Sequence, residues 1–260
     1  MSRVAPVVPA ETDLLCEGCG YVLNGLPIAS NCPECGRPIA ESTGETNRRP
    51  TAWEATDGGG DAGGAGAGPA GGTIPSFLRT SAFAIFQPRE FYRTLATRGD
   101  VGPARRFAYV HWGVCAALFA TAAYVHTMVF WLSGTRTPFF GFIVSAGGIA
   151  ALFTLIFASL AFTTWLAAKL TVWEAAYRGY RLPLGVVLRG MYYHAAHYLP
   201  VAVVTLLTVI GYRVLLAQGA TTLQSLTVYL YVLCGEVVVM AGYLFETYWV
   251  GMKNMMYANK

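Results

Sequence analysis

The chain has 260 residues, 55% of them hydrophobic and only 12% charged, with a formal net charge of +4. An average soluble domain is roughly a quarter charged, and the deficit here falls on residues 107 to 252, where several segments of helical length have no polar face. That pattern excludes a water-soluble globular fold for this stretch and makes lipid its natural solvent.

In chain order, MSRVAPVVPAETDLL comes first and has no apolar core of signal-peptide length, so no cleavable signal is expected. Residues 1–12 read as a disordered N-terminus. At the other end, MMYANK carries no lipidation motif.

Residues 13–39 carry the clearest chemical signal. Cys16, Cys19, Cys32 and Cys35 form two C-x2-C pairs separated by twelve residues. A two-residue gap lets both sulfurs of a pair converge on one ion, and a dozen residues suffice for a short hairpin that opposes the second pair to the first. Four thiolates in a tetrahedron suit Zn2+ best among common metals, although iron accepts the same ligand set. Gly20 and Gly36 directly follow the second cysteine of each pair, where the turning chain needs a positive φ. Pro33 stiffens the second turn, and Tyr21, Leu23 and Leu26 supply a small apolar patch. The expectation is a small four-cysteine zinc ribbon with β-hairpin knuckles, holding one structural zinc per chain. Disulfides would need an oxidising compartment, and two matched pairs do not read as a redox C-x-x-C. Asp13, Glu17, Glu34 and Glu41 outweigh Arg37 around the cysteines, so nucleic acid is not an expected partner. A cytoplasmic protein is.

Residues 40–74 include DGGGDAGGAGAGPAGG, with nine glycines in sixteen positions. They read as a flexible linker with a root-mean-square reach on the order of 30–35 Å. Trp53 is its one large side chain, and nothing in the pattern accounts for it. Residues 75–106 read as interfacial amphipathic helices, in which Phe77, Phe83, Phe86, Phe91 and Leu95 alternate with Arg79, Arg89, Arg93 and Arg98. Packing on the protein's own cytoplasmic face accounts for them equally well. Pro88 fits the first turn of a new helix.

Residues 107–260 read as an all-α polytopic membrane domain with about four spans, near 107–132, 139–168, 198–217 and 226–251. Trp112 and Trp131 are nineteen residues apart, about 28 Å along a helix and close to a hydrocarbon thickness. Ala146, Gly147, Ala150 and Ala151 make a small-residue face that would let a second helix, or a second copy, come close. Residues 169–197 contain Lys169, Glu174, Arg178, Arg181 and Arg189 and are too polar to span cleanly. Arginine and lysine crowd the segments before the first span, between the second and third, and after the fourth. Only Arg136 and Arg213 lie on the other side. By the positive-inside rule both termini are cytoplasmic, in an inner-type bacterial membrane.

Two stretches carry a family resemblance. CEGCGYVLNGLP…NCPECG resembles the zinc-ribbon heads of many bacterial membrane proteins, and FQPREFYRTLATRGDVGPARRFAYVHW resembles the start of the Yip-domain family, in which a Pro-Arg-aromatic helix precedes the spans. That family usually has five spans where four are counted here. The resemblance implies a small helical membrane protein of trafficking or membrane organisation, with no catalytic residues to carry over.

An ionisable group at bilayer depth is a functional candidate by default. Glu236 lies near the middle of the fourth span, Arg213 near the outer end of the third, and His194 and His197 share a helix face at i, i+3, with Glu246 near the same side. Glu236 and Arg213 are expected to pair or to serve a small transporter or channel, and the histidines with Glu246 are a candidate metal set. No HExxH, nucleophilic serine motif or phosphate loop is present, so no enzyme is expected. Cys115 and Cys234 read as small packing residues. The functional expectation is a membrane-anchored, cytoplasmic zinc-ribbon head that binds or recruits protein.

Overall fold

The structure is a computed structural model and describes residues 8–10, 12–43, 48–57, 72–132, 141, 145–218 and 223–259. Eight α-helices are described: α1 Ala52–Asp57, α2 Thr73–Phe86, α3 Pro88–Thr94, α4 Gly102–Leu132, α5 Ala146–Tyr177, α6 Leu184–His194, α7 Tyr198–Ala217 and α8 Leu223–Met255. A 3-10 turn, Ala195–His197, joins α6 to α7. No strand occurs among the described residues; Leu15 with Val22 and Asn31 with Pro38 form isolated antiparallel bridges.

Four helical stretches are long and apolar enough to cross a membrane: Gly102–Met128, Ala146–Tyr177, Leu184–Ala217 and Leu226–Met255. The count agrees with the sequence, but the boundaries move. The second helix runs on to Tyr177, where Lys169 and Arg178 remain exposed and Glu174 half-buried. The third begins at Leu184 rather than Tyr198, with the charges of Arg181 and Arg189 answered inside the protein. Arg189 is buried on α6, and its guanidinium donates to the carbonyls of Ala96, Arg98 and Asp100. Hydroxyls within the spans are satisfied locally: Thr121, Thr127, Thr154 and Thr163 each donate to the carbonyl four residues back. Pro88 opens α3 as expected. Ala146, Gly147, Ala150 and Ala151 are exposed at the start of α5, so the close helix contact expected of them is not made among the described residues.

The chain forms two compact units. Unit 2 comprises Tyr109–Thr163 and His197–Glu246. Large apolar side chains such as Leu155, Phe162, Leu207, Val237 and Val239 cover its outside, the arrangement of a helix bundle solvated by hydrocarbon. Unit 1 comprises residues 1–108, 164–196 and 247–260. It has an aromatic core in which Tyr193 meets Phe107 and Phe91 at centroid distances of 4.9 and 5.3 Å.

Unit 1 also absorbs much of the expected linker. Arg48 is buried, residues 52–57 are helical, and Trp53 is buried against Phe77 and Phe107, its indole N–H donating to Pro103 at 2.8 Å. Thr51 and Glu54 form a reciprocal cap on α1, with the Thr51 N–H bonded to the Glu54 carboxylate and the Glu54 N–H to the Thr51 hydroxyl. The glycine-rich residues 58–71 lie outside the described residues. So do residues 1–7 of the expected disordered N-terminus, whereas Ala10 and Asp13 are held through their carbonyls by Arg181.

Candidate metal centre and its docking

Each cysteine pair sits on a tight knuckle with the same bonding. The Cys16 N–H donates to Tyr21 O at 2.8 Å and the Gly20 N–H returns to Cys16 O at 2.8 Å; Cys32 with Arg37, and Gly36 with Cys32, repeat this at 2.8 and 2.9 Å. Gly20 and Gly36 have φ of 79° and 73°, the left-handed region in which an L side chain is strained. Leu23 and Ile39 are buried beside the cysteines, with Leu26 partly so.

The four thiols converge. Cys16 Sγ lies 3.5 Å from Cys35 Sγ and Cys19 Sγ 3.7 Å from Cys32 Sγ, and all four sulfurs lie within 4.8 Å of one another. A tetrahedral thiolate centre with bonds of about 2.3 Å requires sulfur–sulfur edges of about 3.8 Å, close to the two short pairs, so the cluster could hold a metal ion. All six cysteines are free of disulfides. Burial pushes the Cys19 thiol up to about 12. Burial also opposes ionisation of Cys32, but the backbone N–H groups of Cys35 and Glu34 outweigh it and bring that thiol down to about 7. A cation entering this cluster must displace protons, and its binding strengthens as pH rises.

The first knuckle is gripped by residues from distant parts of the chain. The Asn259 amide donates to Leu15 O and Ser42 O at 2.6 Å each, and its carbonyl accepts from the Leu15 N–H at 2.9 Å and from Arg181 at 3.2 Å. Asn259 thus pairs with Leu15 as a second strand would. Glu17, between the two cysteines, forms a bidentate ion pair with Arg48 at 2.8 and 3.1 Å. Both side chains are nearly fully buried. The same guanidinium donates to the carbonyls of Tyr92 and Leu95 at the end of α3 and of Asn254 on α8. The Tyr257 ring lies so close that a Cβ at Gly20 would meet it at 2.5 Å. The head is therefore docked on the C-terminal segment.

The other expected site residues do not form a second centre. His194 bonds to the Thr247 hydroxyl at 3.1 Å, and His197 bonds to the Tyr243 hydroxyl at 2.8 Å. Glu246 is exposed. Among the described residues, the head cysteines are the group of histidine, cysteine and carboxylate side chains close enough to hold a metal. Glu236 accepts a hydrogen bond from Thr205 at 2.5 Å, and Arg213 is exposed. No ion pair joins Glu236 to Arg213 among the described residues.

Sequence reasoning missed Asn259, Arg48 and Arg181. The one available signal was the T-x-x-E of Thr51 and Glu54, a capping box that argues for order where composition alone reads a linker. Comparison with protein families, curated proteins and solved structures gives no match.

Proposed function

We propose that this chain is an integral membrane protein in which a zinc-loaded head, fixed at the cytoplasmic surface, binds a protein partner. The observation that carries this reading is the asymmetry of the head. Its first knuckle is occupied by Asn259, Arg48 and Tyr257, whereas the second has an exposed Cys35 and open space beside Gly36. Ile28, between the two knuckles, is 61% exposed. A partner that covered Ile28 would remove its apolar surface from water. Zinc is the metal because four thiolates with tetrahedral spacing form the closed type of site that does no chemistry and holds a fold. The cytoplasmic side follows from the arginine and lysine bias, and it keeps the thiols reduced.

Docking changes the proposed mechanism from a tethered head that searches to a fixed one that presents a surface. The Yip-domain resemblance of residues 84–260 directs that surface toward membrane organisation or trafficking. Partner capture in mild detergent tests the reading. An interface anchor is worth about 2 kcal/mol, so Ile28→Asp is expected to weaken capture roughly thirtyfold while zinc stays bound at one per chain. Capture unchanged by both Ile28→Asp and the paired Cys16→Ser, Cys19→Ser substitution would contradict recruitment.

The hydrogen-bonded carboxyl of Glu236 favours a second reading, transport through the spans. Solute or proton flux into liposomes that is lost in Glu236→Gln would support it, and flux indifferent to Glu236→Gln and Glu236→Ala would end it.

A further inference from the structure

Helix α2 is apolar on both faces: Phe77, Phe83 and Ile85 pack against the core of unit 1. Its buried positions are Ser76, Thr80, Ser81 and Ala84, whereas Ile74, Leu78 and Phe86 are 72%, 60% and 79% exposed. With Ala82 between them, these residues recur every four positions and share one slowly winding face. The next helix shows the ordinary arrangement: α3 buries Phe91 and Tyr92 and exposes Arg89, Glu90 and Arg93. Two adjoining helices of one unit thus face different solvents.

Other observations in unit 1 identify the solvent of α2. Phe77 packs on Phe107, near the start of the first candidate span, with centroids 5.1 Å apart. Trp165, Trp173 and Tyr177 on α5 and Trp249 on α8 are exposed, and tryptophan and tyrosine concentrate at the headgroup level of a bilayer. Arg79, beside Leu78, is exposed as well, and its guanidinium can reach lipid phosphate while its stem lies on apolar surface. Ser76, Thr80, Ser81 and Ala84 let the helix seat closely on the protein beside the inward Phe77, Phe83 and Ile85, which leaves the outer face as a second apolar surface.

We infer that the outer face of α2 is a lipid-contact surface, lying in the interfacial layer of the membrane that α4 enters. Its partner is the phospholipid of that leaflet. Three large side chains strung along a winding face, with alanine in the middle, form no pocket for a protein ridge but suit a fluid acyl boundary. The inference rests on the membrane-spanning reading of the chain.

The test places the photoreactive residue p-benzoylphenylalanine at Leu78 or Phe86 of the full chain. The protein is reconstituted in liposomes of phosphatidylcholine and phosphatidylglycerol, and adducts are read by mass. Val238, 72% exposed on α8, is the control for the span, and Glu90 the control for water. Lipid adducts are expected at Leu78 and Phe86 as at Val238, with the adduct lost at Glu90. Lipid adducts at Val238 but none at Leu78 or Phe86, or cross-linked protein dimers from those two positions, would overturn the inference. No lipid adduct even at Val238 would overturn the membrane-spanning reading beneath it.

Discussion

The two cysteine knuckles are nearly the same object in different surroundings. Their hydrogen bonds agree to within 0.1 Å, and both close on a glycine with positive φ. Yet the Cys16 knuckle is held by a buried ion pair, an asparagine clamp and a tyrosine ring. A Cβ at Gly36 on the other knuckle would meet nothing within 4 Å, and Cys35 is exposed. The difference shows that cysteine geometry and docking are separable: the candidate metal site is built by local turns, and its place on the protein by residues far away in the chain.

The largest effect that sharpens this comparison is at arginine. Arg48→Ala leaves Glu17 buried without its partner and is expected to destabilise the docked head by about 3–5 kcal/mol. Arg37 on the second knuckle makes only a half-exposed contact with Glu41 at 3.7 Å, so Arg37→Ala should cost about 1 kcal/mol or less. Denaturant midpoints for metal release measure both, and equal losses would break the asymmetry. A smaller effect is expected from Asn259→Ala, which removes the partners of both backbone groups of Leu15. A loss of about 1–3 kcal/mol should appear as faster release of metal to a chelator.

The smallest difference is the most discriminating. Gly20→Ala and Gly36→Ala both force alanine into the left-handed region at about 1–2 kcal/mol. Only Gly20→Ala also drives a Cβ into Tyr257, adding about 1 kcal/mol, so the first knuckle should be the weaker of the two to this change.

How much was legible follows the same division. The cysteine spacing, the two glycine turns, Pro88 and the four apolar runs are local or periodic features, and each was readable. The ribbon strands were expected and are absent among the described residues, because each knuckle closes with a single bridge. The docking was not readable: Leu15 and Asn259 are 244 residues apart, and no local pattern marks an asparagine as a clamp. Composition made residues 40–74 a tether, but Arg48, Thr51 and Trp53 belong to a packed unit. Arg189 made α6 look too polar to join a span until its carbonyl partners were in view. The two histidines look like a metal pair by spacing alone, and each instead finds a hydroxyl on α8.

The central claim is that the four-cysteine head and the C-terminal segment are one cooperative structure. Hydrogen exchange of the full chain in detergent, compared with and without a zinc chelator, tests it most directly. Metal removal should release the amides of residues 13–43 together with those of 88–97 and 252–259, because Arg48, Asn259 and Tyr257 lose their partners when the first knuckle opens. Release confined to residues 13–43, with the C-terminal amides as protected as before, would contradict it.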